Sequence, residues 1–128
     1  MLVVDDEPDI VKLVTRLMEA RGHRVDVAHD GQEALDAVGR ERPDVIVLDL
    51  NLPKLDGFEV CKRLKTDPAT QGIPIVMMTA AFVSVEEATR GIGLGADEYV
   101  VKPFLREVLV HNVERLLPVS AKAGPTES

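Results

Sequence analysis

The chain has 128 residues, of which 45% are hydrophobic and 29% are charged, the balance of one ordinary globular domain. Its formal net charge of −7, without a concentrated stripe of lysine and arginine, argues against a direct nucleic-acid partner. The single cysteine, Cys61, excludes an internal disulfide and lies in an apolar helical stripe, so we expect a buried thiol.

The N-terminus and the apolar stretches argue against secretion and membrane insertion. Asp5 and Asp6 follow the first four residues, which is not the pattern of a signal peptide. The longest mainly apolar stretch, residues 73–83, is too short to cross a bilayer and is interrupted by Pro74 and Thr79. We therefore expect a cytoplasmic protein without a membrane partner.

Five short segments rich in valine, isoleucine and leucine predict β-strands. They are residues 2–4, 24–28, 45–48, 74–78 and 99–101. Apolar residues with helical spacing lie between the strands, most clearly at the predicted first and fifth helices. These two helices fall within residues 10–18 and 105–117.

The starts of the other helices are predicted from capping residues. Asp30 is followed three residues later by Glu33, which predicts the start of the second helix. The same spacing at Ser84 and Glu87 predicts the start of the fourth, and Gly57, after an aspartate, opens the third.

The alternation of strand and helix, repeated five times, predicts an α/β fold with a doubly wound, five-stranded parallel sheet and helices on both faces. In the flavodoxin-like order 2-1-3-4-5, the ligand site lies at the carboxyl ends of strands one and three. We assign residues 1–117 to this domain. Residues 118–128 have a composition that cannot bury a core, and we expect a linker or disordered tail there.

Polar residues suited to chemistry follow four of the five predicted strands. Asp5 and Asp6 follow the first strand, Asp49 the third, Thr79 the fourth and Lys102 the fifth. Taken alone, each has an ordinary explanation as a helix start, a turn, a strand end or a surface lysine. One shared site explains all of them together, because the carboxyl ends of parallel strands meet at one edge of the sheet.

The three aspartates predict a metal site, because carboxylates crowded into one crevice repel one another unless a cation is present. Oxygen ligands favour Mg²⁺ over zinc. The histidines lie away from the predicted strand ends, and we expect all of them at the surface: His23, His29 and His111. Asp49 is the candidate nucleophile for a phosphoryl group, whose oxygens Lys102 and Thr79 would contact.

Four separated motifs resemble the bacterial response regulator receiver family. They are L-V-V-D-D-E-P at 2–8, L-D-L-N-L-P-K-L-D-G at 48–57, M-T-A at 78–80 and D-E-Y-V-V-K-P-F at 97–104. The motifs occur in order and at matching intervals over about residues 2–117, which makes the resemblance specific.

The resemblance implies that Asp49 accepts a phosphoryl group from a phosphohistidine on a sensor histidine kinase or phosphotransfer protein. The chain would then be a signalling domain and not an enzyme. In the family, Mg²⁺ is held by residues that match Asp6, Asp49 and the backbone carbonyl of Asn51. Asp5 would complete the metal site, acting through a water or orienting the other ligands.

The resemblance also implies a conformational switch. Thr79 moves toward the phosphoryl group and Tyr99 turns inward, which changes the face made by the fourth helix, the fifth strand and the fifth helix. This face is expected to bind a downstream protein, an attached output domain or a second copy of the chain. The family further implies a cis peptide bond before Pro103 and tuning of the phosphoryl lifetime by Asn51 and Ala81.

Three alternatives stay open from the sequence. A Mg²⁺-dependent phosphohydrolase with an aspartyl-phosphate intermediate has similar chemistry, but the haloacid-dehalogenase pattern requires an aspartate where this chain has Asn51. A flavodoxin-type flavin-binding module needs a hydroxyl-rich loop after strand one, where this chain has acidic residues that would repel a flavin phosphate. A degenerate receiver that serves only as a docking scaffold is the third, although no key residue is missing.

Overall fold

The computed structural model describes residues 1–50, 52, 55, 57–80 and 95–117. The strands are β1 (Leu2–Val4), β2 (Asp26–Ala28), β3 (Ile46–Asp49), β4 (Ile75–Ala80) and β5 (Glu98–Lys102). The helices are α1 (Pro8–Glu19), α2 (Gly31–Arg40), α3 (Gly57–Thr66) and the C-terminal helix (Arg106–Leu116). The predicted fourth helix, which starts at Ser84, and the predicted tail, 118–128, lie outside the described residues.

The five strands form one parallel sheet in the order β2-β1-β3-β4-β5, which confirms the predicted fold class. β3 is the central strand, and Val4 of β1 pairs with its Leu48. Every residue of β3 is buried, as the unbroken apolar pattern predicts for a strand covered on both faces. The strand order reverses between β1 and β3, so their carboxyl ends open into one crevice.

Two helical layers cover the sheet. Cys61 and Leu64 of α3 pack with Val38 of α2 against one face. Met18 of α1 and Leu109 of the C-terminal helix belong to the core on the other face. No helix in the described ranges is long and apolar enough to cross a membrane.

Cys61 is buried, as the sequence predicts. Burial raises the pKa of its thiol to about 11, so the thiol stays protonated at neutral pH. A protonated, buried thiol behaves as a small apolar side chain. Cys61 is therefore part of the core.

The capping prediction for α2 is confirmed, because the Asp30 side chain accepts a hydrogen bond of 2.8 Å from the backbone N–H of Glu33. The predicted ends of the last three strands are one or two residues too early. Asp49, Thr79 and Lys102 belong to the strands themselves. A polar side chain interrupts an apolar pattern, but it leaves the backbone pairing of the strand intact.

The prediction that every histidine is a surface residue is wrong for His23, which is only 8% exposed. Its Nε2 lies 2.9 Å from Oε2 of Glu114 on the C-terminal helix. Arg21 donates to both oxygens of the same carboxylate, at 2.6 and 2.8 Å. This contact joins the turn after α1 to a helix 91 to 93 residues later, which a local sequence pattern cannot indicate. His29 and His111 are exposed.

Glu114→Gln is expected to lower the free energy of unfolding by about 1 kcal/mol at neutral pH, and by less in acid. The hydrogen bond from Arg21, assisted by that from His23, lowers the pKa of Glu114 below its ordinary 4.5 despite partial burial. Since the folded-state pKa is the lower one, this stabilisation is present above the unfolded-state pKa and is lost as the pH falls through the folded-state value.

Urea unfolding from pH 7 down to about pH 3 would measure this dependence. Glu107→Gln, on an exposed position of the same helix, is the charge-matched control. A Glu114 effect that stays constant over the whole pH range would contradict the assignment.

Candidate functional site

The structure gathers residues from separate strands at the carboxyl edge of the sheet. Asp5 and Asp6 follow β1, Asp49 ends β3 and Lys102 ends β5. β4 lies between β3 and β5, and the long side chain of Lys102 crosses its end to reach the aspartates. Thr79 is buried next to the end of β4, where it pairs with a residue of β5. The side chains of Asp5, Asp6, Asp49 and Lys102 therefore lie close together, and Thr79 lies on the strand between β3 and β5.

The three aspartates bring their carboxylate oxygens within 4.8 Å of one another. Asp5 is 0% and Asp49 is 3% exposed, whereas Asp6 faces solvent. Buried carboxylates at this separation repel one another, and positive charge is needed to hold them together. The arrangement is a set of hard oxygen donors, open on the side of Asp6, that could hold a metal ion.

Lys102 provides positive charge inside this acidic cluster. Its Nζ donates to Oδ2 of Asp5 at 2.8 Å and lies 3.5 Å from Oδ2 of Asp49. Burial lowers the pKa of Lys102, but the hydrogen bond to Asp5 and the charge of Asp49 outweigh it, so the pKa lies above its ordinary value. The Lys102 side chain is therefore a permanent cation at neutral pH.

Glu7 also belongs to the site, a role that the sequence pattern did not indicate. Its Oε1 accepts a hydrogen bond of 3.1 Å from Nζ of Lys102. The backbone N–H of Glu7 donates to Oδ1 of Asp5 at 2.9 Å. The signal for Glu7 was its place directly after two aspartates, but only the folded chain brings it to a lysine 95 residues away.

Tyr99 lies on β5, pairs with Met77 and packs against the core under α2 and α3. Its hydroxyl is buried and has no hydrogen-bond partner among the described residues. Burial, with a smaller effect of Cys61, raises the pKa of Tyr99, so the phenol stays protonated. The Tyr99 side chain is thus half-buried, on the strand next to β4, which contains Thr79.

Two backbone hydrogen bonds fix the described residues that follow β3. The N–H of Leu50 donates to the carbonyl of Met78, and the N–H of Gly57 donates to the carbonyl of Leu50, both at 3.0 Å. These bonds set the positions of Leu50 and Gly57, which stand on either side of residues 51–56 in the sequence. Asn51 and Ala81 themselves lie outside the described residues. The peptide bond between Lys102 and Pro103 is cis.

Comparison with known proteins identifies this arrangement. The family model of the response regulator receiver domain matches residues 1–114. The response regulator MprA of Mycobacterium avium (strain 104) is 42% identical over 128 residues, which cover 100% of this chain and 55% of that protein. MprA of Mycobacterium tuberculosis (strain ATCC 25618 / H37Rv) is also 42% identical, with coverage of 100% and 54%. The chain spans about half the length of these curated relatives.

Solved structures of response regulators have the same fold as this chain. A putative response regulator from Chloroflexus aurantiacus J-10-fl has a TM-score of 0.85 and 33% identity, covering 90% of this chain and 93% of that one. The chemotaxis protein CheY4 of Vibrio cholerae has a TM-score of 0.84 and 35% identity, covering 91% and 96%. The acidic edge of the sheet, the four sequence motifs and these matches agree, and the chain belongs to the response regulator receiver domains of two-component signalling.

Proposed function

We propose that Asp49 accepts a phosphoryl group from a phosphohistidine on a sensor histidine kinase or phosphotransfer protein. The main support is the position of Asp49, buried at the end of the central strand with two further carboxylates within 4.8 Å. The ammonium of Lys102 lies 3.5 Å from the Asp49 carboxylate, so positive charge already stands where phosphoryl oxygens would arrive.

In the transfer, a carboxylate oxygen of Asp49 attacks phosphorus while the bond from phosphorus to the donor nitrogen breaks. The electron pair of that bond stays on the imidazole of the donor. Lys102 stabilises the negative charge on the phosphoryl oxygens, and the Thr79 hydroxyl donates a hydrogen bond to one of them. The product is an acyl phosphate on Asp49, which stores the signal until water hydrolyses it.

We infer that Asp5, Asp6, Asp49 and the backbone carbonyl of Asn51 form a Mg²⁺ site. The described donors fit this cation, because they are carboxylate oxygens close to one another and Asp6 leaves one side open to water. When bound, Mg²⁺ supplies positive charge beside the phosphoryl oxygens. Asp5 also keeps Lys102 in place, through the hydrogen bond of 2.8 Å.

The output of the proposed switch is a change in the face around β5 and the C-terminal helix. Thr79 would move toward the phosphoryl group and Tyr99 would turn further inward beside β4. This face exposes three large apolar side chains, Val101 at 46%, Leu105 at 70% and Val108 at 44%. Exposed apolar groups close to a switch support partner binding. The partner would be a downstream protein, an attached output domain or a second copy of the chain.

The chain would then be a phosphoacceptor and not a multiple-turnover enzyme. The domain would comprise residues 1–117, and residues 118–128 would form a linker or a disordered tail. A phosphohydrolase would release many phosphates for each chain, whereas an acceptor takes up one phosphoryl group.

The test is the intact mass of the protein after incubation with acetyl phosphate and Mg²⁺. We expect the addition of one phosphoryl group that is stable in acid and removed by hydroxylamine, as an acyl phosphate is. Chelation of Mg²⁺ should prevent the adduct, since the carboxylates then lack their cation. Steady release of phosphate over many turnovers would favour the phosphohydrolase. Failure of both acetyl phosphate and fluoroberyllate to modify or bind the protein would favour a docking scaffold.

A further inference from the structure

We propose that Glu7 is a positioning residue that restrains the ammonium of Lys102 and thereby slows capture of the phosphoryl group. The proposal rests on the function proposed for Asp49. The acidic residues around Lys102 compete for its ammonium with the phosphoryl group that Asp49 receives.

Three hydrogen bonds connect Asp5, Glu7 and Lys102 to one another. Nζ of Lys102 donates to Oδ2 of Asp5 at 2.8 Å and to Oε1 of Glu7 at 3.1 Å. The other oxygen of Asp5, Oδ1, accepts from the backbone N–H of Glu7 at 2.9 Å. Asp5 therefore holds the backbone of Glu7 in the position from which its side chain reaches Lys102.

The side chain of Glu7 makes this contact in place of a local one. Glu7 is the N-cap residue of α1, where a carboxylate would find unpaired backbone N–H groups and the positive end of the helix dipole. Its side chain makes no capping hydrogen bond. Instead it extends to a lysine on β5, 95 residues later. A side chain that leaves a favourable local contact for a distant one is expected near functional sites.

The contact has two consequences for phosphoryl transfer. An ammonium has three N–H donors, and two of those of Lys102 are directed at Asp5 and Glu7. The Glu7 side chain is 60% exposed, whereas that of Asp5 is 0% exposed, so the negative charge of Glu7 faces the approaching anionic phosphodonor. Glu7 thus competes for Lys102 and repels the donor, while the buried contact with Asp5 keeps Lys102 in the site.

The expected effect is modest, because an exposed ion pair is weak and screened by salt. We expect Glu7→Gln, which removes the charge, to raise the initial rate of phosphorylation by acetyl phosphate about two- to fivefold. Glu7→Ala removes the contact as well and should raise the rate at least as much. Both variants should bind fluoroberyllate more tightly in the presence of Mg²⁺, a readout that does not depend on the reaction.

Asp9→Asn is the matched control. Asp9 is an exposed acid two residues further along, and it lines the groove between α1 and the C-terminal helix rather than the site. Like Glu7→Gln, this variant removes one negative charge from the chain, so it measures the general effect of charge on an anionic donor. Thermal unfolding of each variant separates positioning from a structural role, since positioning changes the rate and the fluoroberyllate affinity without lowering Tm.

The proposal is supported if both Glu7 variants are phosphorylated faster and bind fluoroberyllate more tightly than Asp9→Asn does, with Tm unchanged. Values equal to or below those of Asp9→Asn would overturn it while the phosphorylation of Asp49 stands. A wild-type protein that neither forms the adduct nor binds fluoroberyllate would overturn the proposed function, and this inference with it.

Discussion

Asp49→Asn is expected to lower the rate of phosphoryl adduct formation by more than about a thousandfold, which is the loss typical for removal of a nucleophile. The amide has nearly the shape of the carboxylate but lacks its negative charge, so it cannot form the acyl phosphate. The fold should persist, because the substitution preserves the volume at a residue that is 3% exposed.

The control for this variant is Asp36→Asn on α2. Asp36 is exposed and accepts a hydrogen bond of 3.1 Å from Gln32, away from the acidic cluster. The Asp36→Asn protein should be phosphorylated at the wild-type rate. Intact mass at several times after addition of acetyl phosphate and Mg²⁺ measures both variants. An Asp49→Asn protein that gains the same hydroxylamine-labile group would mean that another carboxylate is the acceptor.

Gly57→Ala is expected to lower the free energy of unfolding by about 1–3 kcal/mol, through overpacking. A Cβ at Gly57 would lie 2.4 Å from the carbonyl oxygen of Asp49 and 2.7 Å from Cα of Leu50. These are backbone atoms, so a side-chain rotation cannot relieve the contact. Either α3 or the end of β3 must move, and β3 contains the proposed phosphoacceptor. We therefore expect slower phosphorylation as well.

Gly39→Ala is the matched control for this substitution. Gly39 lies in α2, and a Cβ there would meet nothing within 4 Å. Alanine should stabilise the protein by about 0.4–1 kcal/mol, because it restricts the unfolded chain and favours the helix. Urea unfolding compares the two variants. If Gly57→Ala were as stable as Gly39→Ala, the close packing of α3 against the end of β3 would be contradicted.

The sheet could be predicted because its determinants are local. Buried strands such as β3 leave unbroken apolar runs in the sequence. The regular alternation of strand and helix then permits few arrangements of the chain. Asp49 could be placed in the site for a related reason. It ends the central strand, and the carboxyl ends of parallel strands meet at one edge.

Contacts between side chains that are distant in sequence could not be predicted. His23 was expected at the surface because it lies away from the predicted strand ends, and only the packing of the C-terminal helix brings Glu114 to it. Glu7 is a comparable case, since helix spacing describes its place at the start of α1 but not the direction of its side chain. Periodicity reports the local backbone and burial, whereas ion pairs depend on which elements become neighbours.

The residue that carries the phosphoryl group decides whether Asp49 is the acceptor. After reaction with acetyl phosphate and Mg²⁺, borohydride reduces an aspartyl phosphate to homoserine, and peptide mass spectrometry locates the altered residue. We expect homoserine at position 49 alone, and none when a chelator is present during the reaction. Homoserine in place of Asp5 or Asp6, or a phosphoryl group on a hydroxyl or an imidazole, would contradict it.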